Sequence, residues 1–75
     1  GGGMTDLDRL THKLIKLEIP FAFDGKHLIV CGYVVWFGLN GHYRVTKQDA
    51  PIAHWCDHSL TDLTKILQTQ HEINA

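Results

Sequence analysis

Two dipeptides, Asp24-Gly25 and Asn40-Gly41, sit between apolar runs inside the block from Ile19 to Val45, and they restrict the fold more than any other feature of the chain. Such pairs favour two-residue hairpin turns, because Asn, Asp and Gly accept the positive φ those turns demand. Between them, the run from Leu28 to Phe37 is too β-branched and aromatic for a helix, and too long for one strand without the break that Gly32 offers. A third tight turn is expected at Cys31-Gly32. The block therefore reads as four antiparallel strands, from Ile19 to Phe23, Lys26 to Cys31, Tyr33 to Leu39 and His42 to Thr46.

A two-residue turn pairs its flanking residues directly, which sets Phe23 against Lys26, Val30 against Tyr33 and Leu39 against His42. Side chains alternate between faces along each strand. One face then carries Leu28, Val30, Tyr33, Val35, Phe37 and Leu39, together with Ile19, Phe21 and Phe23. The other carries Ala22, His27, Ile29, Val34, Trp36, Tyr43 and Val45. Both are apolar, whereas a small antiparallel sheet commonly keeps one face polar and solvated.

The flanking stretches read as helices. Thr5 or Asp6 can cap the first, and Leu7, Leu10, Leu14 and Leu17 repeat at helical spacing, with Ile15 widening the stripe until Pro20 stops the helix. In the second, Ser59 and Asp62 resemble a capping box ahead of Leu60, Leu63, Ile66, Leu67 and Ile73. The connector through Ile52, Trp55 and His58 has no clean period and is expected to be a loop or one helical turn. The fold class is α+β in the order α-β-β-β-β-α, an antiparallel meander sheet with both helices packed on one face. Gly1-Gly2-Gly3 ahead of Met4 reads as a cloning remnant, leaving 4–75 as a single domain.

With both helices on one face, the second face is the expected interaction surface: Ile29, Val34, Trp36, Tyr43 and Val45, with Arg44 beside them. The competing use of that face is as a bed for the segment around Ile52 and Trp55. A formal net charge of -1 and the absence of a basic stripe argue against a general nucleic-acid binder. Six histidines put solubility and association under pH control between about 5 and 7. No secretory leader or membrane-length apolar run is read, so a cytoplasmic protein is expected.

Three arrangements could carry chemistry. His54-x-Cys56-x-His58 would project from one side of an extended segment and offer zinc ligands, with a fourth from His27, Cys31, His42 or His71, although the spacing matches no familiar zinc motif. Unliganded side chains, free thiols and no cofactor are the expectation. His27 could serve as acid or base, with Tyr43 and Asp24 as partners. Trp36, Tyr43 and Arg44 resemble the aromatic platforms on which single-stranded RNA bases stack, but without the basic field that supplies affinity. No catalytic set is read from these residues.

The segment Ile19-Pro20-Phe21-Ala22-Phe23-Asp24-Gly25-Lys26-His27-Leu28-Ile29-Val30, followed by an aromatic strand and a terminal helix, resembles short uncharacterised proteins of bacteriophages and prophages. The layout is also similar to the double-stranded-RNA-binding-like fold of HicA-type mRNA interferase toxins. There Gly25-Lys26-His27 would stand where the toxins carry a glycine and the catalytic histidine, and the run from Leu63 to Leu67 would match their final helix. The chain departs from the toxins in lacking their basic character and in its fourth strand. Taken with the small size, the lack of a catalytic set and the two-sided apolar sheet, the first resemblance favours a small factor that binds and modulates, by inhibition, a host protein; a homodimer closing the open sheet face on itself is compatible with either reading. The second implies RNA binding or cleavage through His27.

Overall fold

The computed structural model describes residues 5–49 and 56–74. Helix α1 spans Asp6–Lys16. Thr5 caps it, its hydroxyl accepting the Asp8 N–H at 3.1 Å, while Asp6 and Asp8 lie at the positive end of the helix dipole and Lys13 and Lys16 at the negative end. The helix closes on a left-handed residue, Glu18 (φ 58), in a position where glycine is commoner. The Ile19 N–H reaches back to the Leu14 carbonyl at 2.9 Å and the Glu18 N–H to that of Ile15 at 3.1 Å, and both Leu14 and Ile19 are buried. That paired closure turns the chain directly into the sheet.

Among the described residues the sheet has five strands in sequence order: β1 (Ala22–Phe23), β2 (Leu28–Val30), β3 (Tyr33–Leu39), β4 (His42–Lys47) and β5 (Cys56–Ser59). Every neighbouring pair is antiparallel. Helix α2 (Leu60–Asn74) follows β5 directly, and the Ser59 hydroxyl accepts the Asp62 N–H at 3.3 Å. The architecture is the α+β meander expected, with a fifth strand where the connector's end was expected to be a loop or helical turn. Cys56 to Ser59 has too few residues and too little apolar alternation to announce a strand. Pairing with β4, Val45 with Cys56 and His42 with Ser59, makes it one.

The core lies between the helices and one sheet face. Leu10 and Leu14 from α1 and Leu63 and Leu67 from α2 are fully buried against Leu28, Val30, Val35, Tyr43 and Val45. Ile15 and Ile73 do not join it, being 66% and 68% exposed. At 100° per residue, Ile15 is turned well away from Leu10 and Leu14, and Ile73 from Leu63 and Leu67, so neither can share the buried stripe.

Registers fall out turn by turn. Cys31 (φ 52) and Gly32 (φ 80) form the expected turn, with Val30 opposite Tyr33. Asn40 (φ 56) and Gly41 (φ 86) form another, with Leu39 opposite His42. At the first turn the pairing is Phe23 with Leu28 rather than with Lys26, because the turn centres one residue later, on Gly25-Lys26. Asp24 imposes this: its Oδ1 accepts the N–H groups of Lys26 (2.8 Å) and His27 (2.7 Å), and its own N–H donates to the His27 carbonyl (3.1 Å). The slide moves each partner by two positions, so no side chain changes face.

A different irregularity does change faces. Between Trp36 and Leu39 the β3–β4 register shifts at a bulge containing Gly38 (φ 83). Beyond it Trp36 lies opposite Arg44 and Val35 opposite Val45. Unbroken alternation from the Asn40-Gly41 turn would have put Tyr43 and Val45 with Trp36. The extra residue puts them on the helix side instead, both buried, and brings Arg44 round to join Trp36.

Candidate functional site

The face away from the helices is built from two cross-strand rows. The first runs Ala22, Ile29, Val34, Thr46, each opposite the next. Ile29 and Val34 are half-buried and Thr46 is buried. The second runs Asp24, His27, Trp36, Arg44, Asp57, one residue from each successive strand or its turn. Its centre is Trp36, on the middle strand of the sheet.

Side-chain contacts tie this second row together. His27 meets Trp36 edge-on, ring centroids 4.7 Å apart at 70°, and its Nδ1 lies 3.2 Å from Asp24 Oδ2. Two backbone N–H donors and the imidazole hold the Asp24 carboxyl down to about 2, so it stays ionised through neutral pH. An ionised carboxylate only accepts hydrogen bonds, so the imidazole donates through Nδ1 in this pair. On the other flank Arg44 Nε and Nη2 donate to Asp57 Oδ1 and Oδ2 at 2.8 and 3.2 Å, a two-pronged pair that holds Asp57 below its ordinary range. The row thus reads acid, base, tryptophan, base, acid.

Of the residues expected on this surface, Ile29, Val34, Trp36 and Arg44 are brought together, with His27 beside them. Tyr43 and Val45 are not. Tyr43 is 1% exposed, and its hydroxyl donates to the Asp6 carbonyl at 2.6 Å, while the Gly41 N–H donates to Asp6 Oδ2 at 3.2 Å. The tyrosine fastens the start of α1 to β4; burial, aided by the nearby Asp6 carboxylate, raises its phenol above the usual value. It can therefore be neither a partner of His27 nor half of an aromatic platform with Trp36. Asp24 stands beside His27 as the expected partner. Asp57 is the residue that sequence reasoning leaves out of the surface, because nothing local marks it until β5 is paired with β4.

The zinc arrangement rests on residues that lie outside the described ones: His54, and the side chain of Cys56, as do Ile52 and Trp55. His58 is half-buried and shares the helix side with Tyr43, its cross-strand partner. Among the described residues no three His, Cys, Asp or Glu side chains converge as a metal site. Cys31 directs its thiol to the Leu67 carbonyl at 3.7 Å, and burial pushes that thiol's pKa up, away from reactivity. Beside it is a shallow cleft of about 330 Å³ lined by Tyr33, Lys47, Gln48, Asp49 and Gln70. No described helix is long and apolar enough to cross a membrane.

The fold and this face together define a small α+β protein with an open meander sheet, its helices on one side and a tryptophan-centred row on the other. Comparison with family models, curated proteins and solved structures gives no match for the chain.

Proposed function

We propose that this chain is a small interaction protein, of the kind phages encode, that binds and modulates a host protein through the sheet face carrying Trp36. The observation that carries this reading is the composition of that face. An apolar centre of Ile29, Val34 and Trp36 is bordered by internally paired polar groups, Asp24 with His27 and Arg44 with Asp57. Interfaces have this anatomy, and tryptophan is among the residues that dominate their energetics. Binding alone accounts for the arrangement without a catalytic step.

The test is an affinity capture from bacterial lysate, with and without ribonuclease, comparing wild type with Trp36→Ala. A protein partner that survives ribonuclease and is lost from the variant is expected. Retention of the same partner by the folded variant would remove the reading.

A second reading, RNA binding or cleavage through His27, draws on one observation: the imidazole is held by Asp24 edge-on to an aromatic ring. It loses Tyr43, and the guanidinium of Arg44 is committed to Asp57. It predicts growth arrest on expression that His27→Ala relieves. Arrest that persists in that variant would exclude the histidine's role.

A further inference from the structure

We propose that the Trp36 face receives an amphipathic helix of the partner protein, lying along β3, whose apolar stripe is flanked on both sides by lysine or arginine. The inference rests on the interaction reading above and specifies the partner's chemistry.

The geometry comes from the row Asp24, His27, Trp36, Arg44, Asp57. Strands are spaced by about 4.8 Å, so each carboxylate stands roughly 10 Å to one side of Trp36. A helix with its side chains is about 10–12 Å across. Laid along β3, it would sit on Trp36 and Val34 with one carboxylate beside each of its long edges. Long basic side chains can run their stems along apolar surface and present their charge at those edges. The seven residues of β3 extend for roughly 23 Å, the length of about 15 helical residues. The result would be a third layer, with the sheet covered by helices on both faces.

The charges select the sign of the flanks. Asp24 and Asp57 have side chains 48% exposed, whereas His27 and Arg44, at 25% and 31%, lie inside them and are already engaged by those carboxylates. Within this row the outermost groups on both flanks are therefore anionic, with His42 the one exposed base near Asp57. The same pattern disfavours a second copy of this chain packed face to face. A two-fold axis through Trp36 along the strands sets Asp24 over Asp57 and His27 over Arg44. An axis across the strands sets each residue over its own copy. Both place like on like.

Three synthetic 18-residue helical peptides test this, sharing one leucine stripe and differing only in the flanking residues: lysine, glutamine or glutamate. Each is titrated to millimolar concentration into isotopically labelled protein, following the backbone amides of Ile29, Val34, Trp36 and Arg44. The lysine peptide should bind tightest, roughly three- to tenfold tighter than the glutamate peptide at low salt, as expected of two rim charges, and the difference should collapse in high salt. Asp24→Asn with Asp57→Asn takes the formal charge of the row from -1 to +1 with the histidine neutral, and keeps an amide oxygen at each position to accept the same donors. In that double variant the order of the three peptides should reverse.

Equal binding of all three peptides at these amides would overturn the basic-flank inference and leave the interaction reading standing. Lysine-peptide binding unchanged by Trp36→Ala would overturn both. The inference also fails if none of the peptides binds, or if the protein self-associates through this face; the lysate capture then judges the broader reading separately.

Discussion

Gly38 decides which residues reach the face away from the helices, and the cost of replacing it should follow backbone conformation rather than side-chain size. Its φ is 83, in the region L-residues avoid, and a Cβ built there would meet no heavy atom within 4 Å. Sterics against neighbours are therefore absent, and only the left-handed backbone resists substitution. Gly38→Ala should cost about 1–2 kcal/mol, the usual penalty for an L-residue in that region. For a domain of this size each kcal/mol lowers the melting temperature by roughly 4–8 °C. Gly38→Asn should cost less than Ala although Asn is larger, because its side chain hydrogen-bonds locally and tolerates positive φ; Gly38→Val should cost most. Thermal melts followed by circular dichroism give the order. Amide exchange at Tyr43 reports whether the bulge survives, since expelling it would swing Tyr43 out of the core. If Asn proves worse than Ala, side-chain size rather than φ controls the site and the reasoning is wrong.

Tyr43→Phe should lose about 1 kcal/mol, the net worth of the hydrogen bond to the Asp6 carbonyl, with hydrogen exchange rising first at the start of α1. Thr5→Ala removes the cap of the same helix and should cost a similar amount, about 1 kcal/mol by denaturant titration. Leu67→Ala, at a fully buried position, should cost about 2–5 kcal/mol, enough to unfold much of a domain this small at 37 °C. Asp24 has a folded-state pKa of about 2 against 3.8, so its contribution is complete above about pH 5 and is lost as pH falls through about 2. The melting-temperature gap between wild type and Asp24→Asn should therefore narrow from pH 4 to pH 2; a constant gap would contradict that carboxylate's role.

What the sequence disclosed and withheld follows from how local each determinant is. The turns at Cys31-Gly32 and Asn40-Gly41 are written in dipeptides whose backbone preferences act within four residues, and they were legible. So were the cap at Ser59 and the buried leucines at positions 10, 14, 63 and 67, and the first cap was narrowed to Thr5 or Asp6, of which the structure uses Thr5. The exact centre of the first turn was not, because Asp24 is equally at home inside a turn or gripping its amides from the preceding position. β5 was hidden for a different reason. Cys56 to Ser59 becomes a strand by pairing with residues 42 to 45, and a pairing partner leaves no mark on the segment itself.

The bulge at Gly38 lies between these cases and had the largest effect on the functional reading. A glycine inside a strand signals a bulge only when the neighbouring strand is fixed, and the alternation of Val34, Trp36, Tyr43 and Val45 looked consistent without one. Inserting the extra residue exchanges two apolar residues on the open face, Tyr43 and Val45, for Arg44 and Thr46. The exchange turns a uniformly apolar surface, which would favour indiscriminate association, into one whose apolar centre is bounded by charge. Once Arg44 lies beside Trp36, Asp57 must come with it as the cross-strand neighbour, just as Asp24 accompanies His27 on the other flank. A single-residue irregularity thus accounts both for the buried tyrosine that fastens α1 to the sheet and for the polar border around the apolar centre of the opposite face.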